Sequence, residues 1–111
     1  MQILSPLRVR IDSREKQILR VLSDRHCLAI LSITKENAMT VSMICSYCNM
    51  SPSTAYRKLG LLQKLNFLRV RYTILSNGKK STSFQCKITG INILLSENQL
   101  QIHTNFIPFE R

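Results

Sequence analysis

The stretch that decides the fold is TVSMICSYCNMSPSTAYRKLGLLQKLN, residues 40–66. Val41, Ile44, Cys45 and Cys48 fall on one side of a short helix over about 41–47. Asn49 follows, and asparagine is, after glycine, the residue best suited to the left-handed backbone that ends a helix. Ser51-Pro52 then supplies an N-cap and a proline at the first helical position, and Ala55, Leu59, Leu62 and Leu65 give an apolar stripe to about Asn66. A helix, a turn of three to four residues and a longer helix make a helix-turn-helix.

Upstream, Leu7-Arg8-Val9-Arg10-Ile11 alternates apolar and basic residues after Pro6 and reads as a short strand or an arm. Ser13 offers an N-cap with Glu15 in the first turn, and Ile18, Leu19 and Leu22 recur at helical spacing, so a first helix is expected over about 14–22. Ser23-Asp24 interrupts this pattern and can cap again. Leu28, Ile30, Leu31 and Ile33 make the next helix, about 25–34, apolar enough to be central to the core, and residues 35–39 form a polar connection.

Downstream of Phe67 the period shortens to two. Leu68, Val70, Tyr72 and Ile74 alternate with Arg69, Arg71 and Thr73, residues 76–81 (SNGKKS) form a turn containing Asn-Gly, and 82–89 returns with Phe84, Cys86 and Ile88 alternating. This predicts a β-hairpin whose tip carries Lys79 and Lys80. Residues 91–95 and 100–106 flank 96–99, and the alternation of Leu100, Ile102, Thr104 and Phe106 favours a second hairpin over a terminal helix starting at Ile91. The fold class is therefore α+β: a winged helix-turn-helix, helices followed by a β-hairpin wing, with an extra C-terminal hairpin. It divides into an arm (1–12), the winged domain (13–90) and an extension (91–111) expected to make dimer contacts.

The charge distribution narrows the function. Of 111 residues, 16 are Lys or Arg and 6 are Asp or Glu, a formal +10. The acids stand at positions 12, 15, 24, 36, 97 and 110, so residues 37–96 contain no carboxylate, while Arg57, Lys58, Lys64, Arg69, Arg71, Lys79, Lys80 and Lys87 all fall there. Such a block attracts polyanions, a nucleic-acid backbone first and an anionic membrane surface second. A solvated basic face kept for solubility would account for the total but does not require acids to be excluded from one half. A chain of this size buries roughly two-thirds of its unfolded surface, enough for one core. The apolar runs 27–33 and 88–95 fall far short of the ~20 residues a membrane-spanning helix needs. With no secretory signal pattern at the start, a cytoplasmic protein without membrane contact is expected.

The span from Ile18 through Lys87, about seventy residues, resembles the winged helix-turn-helix of ArsR-like regulators, the archaeal members most. The most specific match is Met50-Ser51-Pro52-Ser53-Thr54-Ala55-Tyr56-Arg57-Lys58-Leu59, since that family opens its recognition helix with Ser-x-Ser/Thr and repeats apolar residues where Ala55, Leu59 and Leu62 stand. The resemblance implies a homodimeric, sequence-specific transcriptional regulator bound to double-stranded DNA. Helix geometry points the same way, because a helix about 10–12 Å across fits the major groove and its N-terminal residues reach the base edges. With Ala55, Leu59 and Leu62 inward, Ser53, Thr54, Tyr56 and Arg57 are expected outward, and the helix start capped by Ser51 suits a phosphate. Arg57 is the candidate base reader, Tyr56 a partner for a sugar or thymine methyl, and Lys58 and Lys64 candidates for phosphate. Lys79 and Lys80 at the hairpin tip are placed to reach backbone phosphates or the adjacent minor groove, and Arg69 and Arg71, also counted in the DNA-binding set, share one strand face. About four cations per subunit on phosphate in a dimer would make log affinity fall with log salt at a slope of roughly −7. The dimer surface is expected on the first helix, residues 3–11 and residues 94–109.

Cys45-Ser-Tyr-Cys48 is a CxxC, and some ArsR relatives sense metals through cysteines on the corresponding helix. Their usual Cys-x-Cys is missing here, and Cys45 and Cys48 fall where related sequences place core residues. Buried structural thiols are the expectation, with no metal and no cofactor, and a thiol-redox-responsive regulator as the alternative. No paired carboxylates, Gly-rich phosphate loop, Ser-His-Asp set or HExxH motif is present, so an enzyme is not expected. The alternative from another class is a winged-helix RNA-binding or protein-interaction subunit, which would use the hairpin more than the helix.

Overall fold

The computed structural model describes residues 11–108, a mixed α+β chain. The elements run α1 (Ser13–Ser23), α2 (Arg25–Ile33), β1 (Met39–Thr40), α3 (Val41–Cys48), α4 (Pro52–Lys64), β2 (Leu68–Ile74), β3 (Lys80–Cys86), β4 (Ile88–Ser96) and β5 (Gln99–Phe106). The arm expected over 1–12 lies, but for its last two residues, outside the described segment, as does residue 109 of the expected dimer surface.

Helix α1 is capped by Asp12, not by Ser13 as the sequence suggested. The Asp12 carboxylate accepts the Glu15 amide at 2.7 Å, and the Glu15 carboxylate accepts the Asp12 amide at 3.3 Å. This reciprocal pair needs a spacing of three residues, which Asp12 has to Glu15 and Ser13 lacks. Asp24 ends α1 and begins α2, accepting the Cys27 amide at 3.0 Å. Thr40 does the same for α3 through the Met43 amide at 3.2 Å.

The helices bury a common core. Ile18, Ile30, Ile44, Leu59, Leu62 and Phe67 are each almost entirely shielded from water, one or two from every helix plus the residue that leads into β2. Full burial of each side chain of this size is worth roughly 1.5–3 kcal/mol. Thr34 is the buried polar residue of this core. Its hydroxyl donates to the Ile30 carbonyl at 2.7 Å, and its own carbonyl accepts the Cys86 amide at 3.0 Å, which ties the end of α2 to β3.

Strands β1, β3 and β2 form one antiparallel sheet in that order, and β4 and β5 form a separate two-stranded ribbon. The alternation predicts a returning strand over 82–89, whereas β3 begins at Lys80 and stops at Cys86. Lys87 donates its amide to the Phe67 carbonyl at 3.0 Å beyond the last β2 pair, and Ile88 already pairs with Phe106 in the second ribbon. The turn is correspondingly shorter, closed by Leu75 donating to the Lys79 carbonyl at 2.7 Å with Gly78 at φ +82°. The short strand β1, paired with Phe84 and Ser83, lies in the segment expected to be a polar connection. Residues 91–106 form a ribbon, so the competing terminal helix is absent. Both ribbons project: the radius of gyration is 17.2 Å, against about 13 Å for a compact chain of this length. No helix among the described residues is long and apolar enough to cross a membrane.

Candidate nucleic-acid interface

Helix α4 is fixed at both ends and in the middle. Cys48 ends α3, Asn49 takes the left-handed conformation (φ 51°, ψ 56°), and the Met50 amide returns to the Cys45 carbonyl at 3.2 Å. The join between the two helices is thus residues 49–51. Ser51 caps α4 by accepting the Thr54 amide at 3.2 Å, with Pro52 in the first turn. At the far end the Phe67 amide bonds the Leu62 carbonyl at 2.9 Å, Asn66 is left-handed (φ 65°), and the Arg14 guanidinium donates to the Leu65 carbonyl at 2.9 Å.

Midway, Lys58 turns inward to form an ion pair with Asp24. The ammonium holds the Asp24 carboxyl below its ordinary range, and the Cys27 amide adds to this. Lys58, read from the sequence as a phosphate partner, is therefore half-buried against the α1–α2 junction. Thr54, expected outward, is also half-buried, and its hydroxyl accepts from Ser51 at 3.0 Å.

Most of the residues of α4 that face water form one stripe, flanked by Leu61 and Gln63. Ala55, Leu59 and Leu62 occupy the buried side of α4, and Ser53, Tyr56, Arg57, Gly60 and Lys64 occupy the exposed side at spacings of three and four. Tyr56 is 63% exposed. Arg57 has no carboxylate partner among the described residues. Nothing in the apolar pattern of the sequence marks Gly60. A Cβ built there meets nothing within 4 Å, so no neighbour in the fold requires a glycine. Glycine within an exposed helix costs about 1 kcal/mol relative to alanine. The stripe thus has a flat, open spot between Arg57 and Lys64.

The cations of the first ribbon divide between its two faces. Leu68, Val70, Phe84 and Cys86 face the core, so Tyr72, Ile74 and Lys80 continue that face outward, and Lys80 sets its ammonium 4.2 Å from the Tyr72 ring centroid. Lys80 is therefore a strand residue, not a tip residue, while Lys79 stays in the turn, where its amide donates to the Asn77 side chain at 3.0 Å. Arg69 and Arg71 share the opposite face. With Gln85 and Lys87 they line a polar cavity of about 170 Å³ under Ile107 and Pro108. Arg69 and Arg71 thus share one strand face, as the alternation predicts, and Lys80 lies on the other.

Cys45 and Cys48 are half-buried, not fully buried, while Cys27 and Cys86 are the shielded pair. Burial pushes the Cys27 thiol up to about 11, with the neighbouring Asp24 charge adding to it, and burial likewise raises Cys48 and Cys86. Thiols shifted this way are poor nucleophiles at neutral pH. Among the described residues no group of three or more His, Cys, Asp or Glu is arranged to hold a metal ion.

The sequence matches no known family model, and no curated protein matches it either.

Proposed function

We propose that this chain is a winged helix-turn-helix protein of ArsR-like type that binds double-stranded DNA as a cytoplasmic, homodimeric transcriptional regulator, acting by binding and not by catalysis. Helix α4 enters the major groove and the β2–β3 ribbon serves as the wing. The observation that carries this reading is the exposed stripe Ser53, Tyr56, Arg57, Gly60 and Lys64 on a helix held rigidly from its buried side, within sixty residues that contain no carboxylate.

Each member of the stripe has a chemical task in this reading. Arg57 offers a fork that donates twice to a guanine edge, Tyr56 packs on a sugar or a thymine methyl, and Ser53 and the open amides near Ser51 bond phosphate. Gly60 lets the duplex backbone approach the helix closely. Lys64, Lys79 and Lys80 neutralise phosphates, and two-fold symmetry uses one recognition helix twice, on half-sites about one helical turn apart. Arg69 and Arg71 on the outer face of the wing extend the positive field that draws DNA in.

The test is Arg57→Ala on a duplex selected from a random pool at moderate salt. Loss of preference at one base pair, by about 1–3 kcal/mol, is expected. Unchanged selection by the variant would favour a protein-interaction or RNA-binding module in its place.

A further inference from the structure

The β4–β5 ribbon is built for contact on one face only. Its register pairs Ile91 with Thr104, Ile93 with Ile102 and Leu95 with Leu100, and Phe106 follows in the same row. The opposite face carries Asn92, Leu94, Ser96, Gln99, Gln101 and His103. Near its base the apolar row packs on the core through Ile91 and Ile102. Further out it is uncovered: Ile93 is 49% and Leu95 67% exposed. At the base the row runs into a cleft of about 290 Å³ lined by Leu22, Leu28, Leu31, Cys86, Ile88 and Ile91. A two-stranded ribbon alone is marginally stable, and one with a single apolar face gains a second layer by packing that face about 10 Å from another sheet.

Charge permits a second copy of the chain to supply that layer. The chain carries +10, yet residues 88–108 contain no Lys or Arg and one carboxylate, Glu97. Two copies of so basic a chain can meet here without opposing their cations. We infer that the apolar face of the β4–β5 ribbon packs against the same face of a second copy, an isologous contact that closes on itself and leaves both α4 stripes free. The inference rests on the dimer part of the reading above and is independent of DNA binding.

Sedimentation of the full chain without DNA, at micromolar concentration, tests it with three single variants in one strand. The wild type should sediment at twice 12.8 kDa. Ile93→Glu and Leu95→Glu should each sediment at 12.8 kDa. Leu94→Glu, which changes a residue 52% exposed on the opposite face, should remain a dimer. All three positions are half-exposed or more within one chain, so the far-ultraviolet circular dichroism of every variant should match the wild type. A monomeric wild type, dimeric Ile93→Glu and Leu95→Glu, or a Leu94→Glu that dissociates as they do would each overturn the inference. Binding of the monomeric variants to a single half-site duplex reports separately on the DNA reading.

Discussion

The two ribbons of this protein have the same strand pairing and opposite surfaces. In β2–β3 the residues near the core are anchored by Phe84, 6% exposed, and the outer half carries cations. In β4–β5 the aromatic at the corresponding end, Phe106, is 43% exposed, and the outer half carries no cation, one carboxylate (Glu97) and one aliphatic face. A period of two says only that a segment is extended with distinct faces. What a face meets follows from its chemistry: a cationic ribbon remains in water until a polyanion arrives, whereas an aliphatic one lowers its free energy by meeting another apolar face.

That contrast is open to direct attack. The largest expected effect is on salt dependence. Replacing Lys79 and Lys80 by Gln removes four cations from a dimer and should flatten the slope of log affinity on log salt from about −7 to about −4, read by anisotropy titrations. Glu97→Gln at the tip of the other ribbon should leave that slope steep. On stability, Phe84→Ala should cost about 3–5 kcal/mol in urea unfolding. Phe106→Ala should cost less than half as much when both are compared in the monomeric Leu95→Glu background, where its ring, 43% exposed, has no second copy to cover it.

The Asp24–Lys58 pair gives a smaller effect. Asp24→Ala removes the α2 cap and the ion pair together, about 1–2 kcal/mol, whereas Asp24→Asn keeps a cap and should cost under about 1 kcal/mol. Because Lys58 depresses the Asp24 pKa in the folded chain, the pair's contribution is present above the ordinary value of 3.8 and is lost as pH falls through the lower folded value. Thermal melts of wild type and Asp24→Asn should therefore differ at pH 6, and the difference should shrink as the pH is taken progressively below 3.8. The smallest effect belongs to Gly60→Ala, which should raise stability by about 0.5–1 kcal/mol while weakening DNA binding. A Gly60→Ala protein that binds DNA as well as the wild type would remove close approach as the reason for that glycine.

Local chemistry was legible where one residue's preference suffices. Asn49 in the left-handed conformation, Ser51-Pro52 at the start of α4 and the alternation from Leu68 and from Leu100 could each be read without knowing the rest of the chain. Features that depend on distant partners could not. Lys58 meets Asp24 across 34 positions and Arg14 meets Leu65 across 51, and no periodicity encodes either contact. Strand β1, two residues long, is too short to show alternation, and it exists because Phe84 and Ser83 offer an edge. The Asp12 cap was readable from its spacing to Glu15, but the adjacent Ser13 is an equally good capping residue type. Of the site, the outward positions of Ser53, Tyr56 and Arg57 followed from the buried stripe. The separation of Arg69 and Arg71 from Lys80 required the register of the ribbon.

The central claim is that the exposed stripe of α4 meets duplex DNA, and amide shifts of the ¹⁵N-labelled protein titrated with a selected duplex test it most directly. The account predicts the largest shifts at Ser53, Tyr56, Arg57 and Gly60, smaller ones at Asn77–Lys79, and none at Ile93 and Leu95. Shifts confined to the β4–β5 ribbon, with α4 unmoved at saturating duplex, would contradict it.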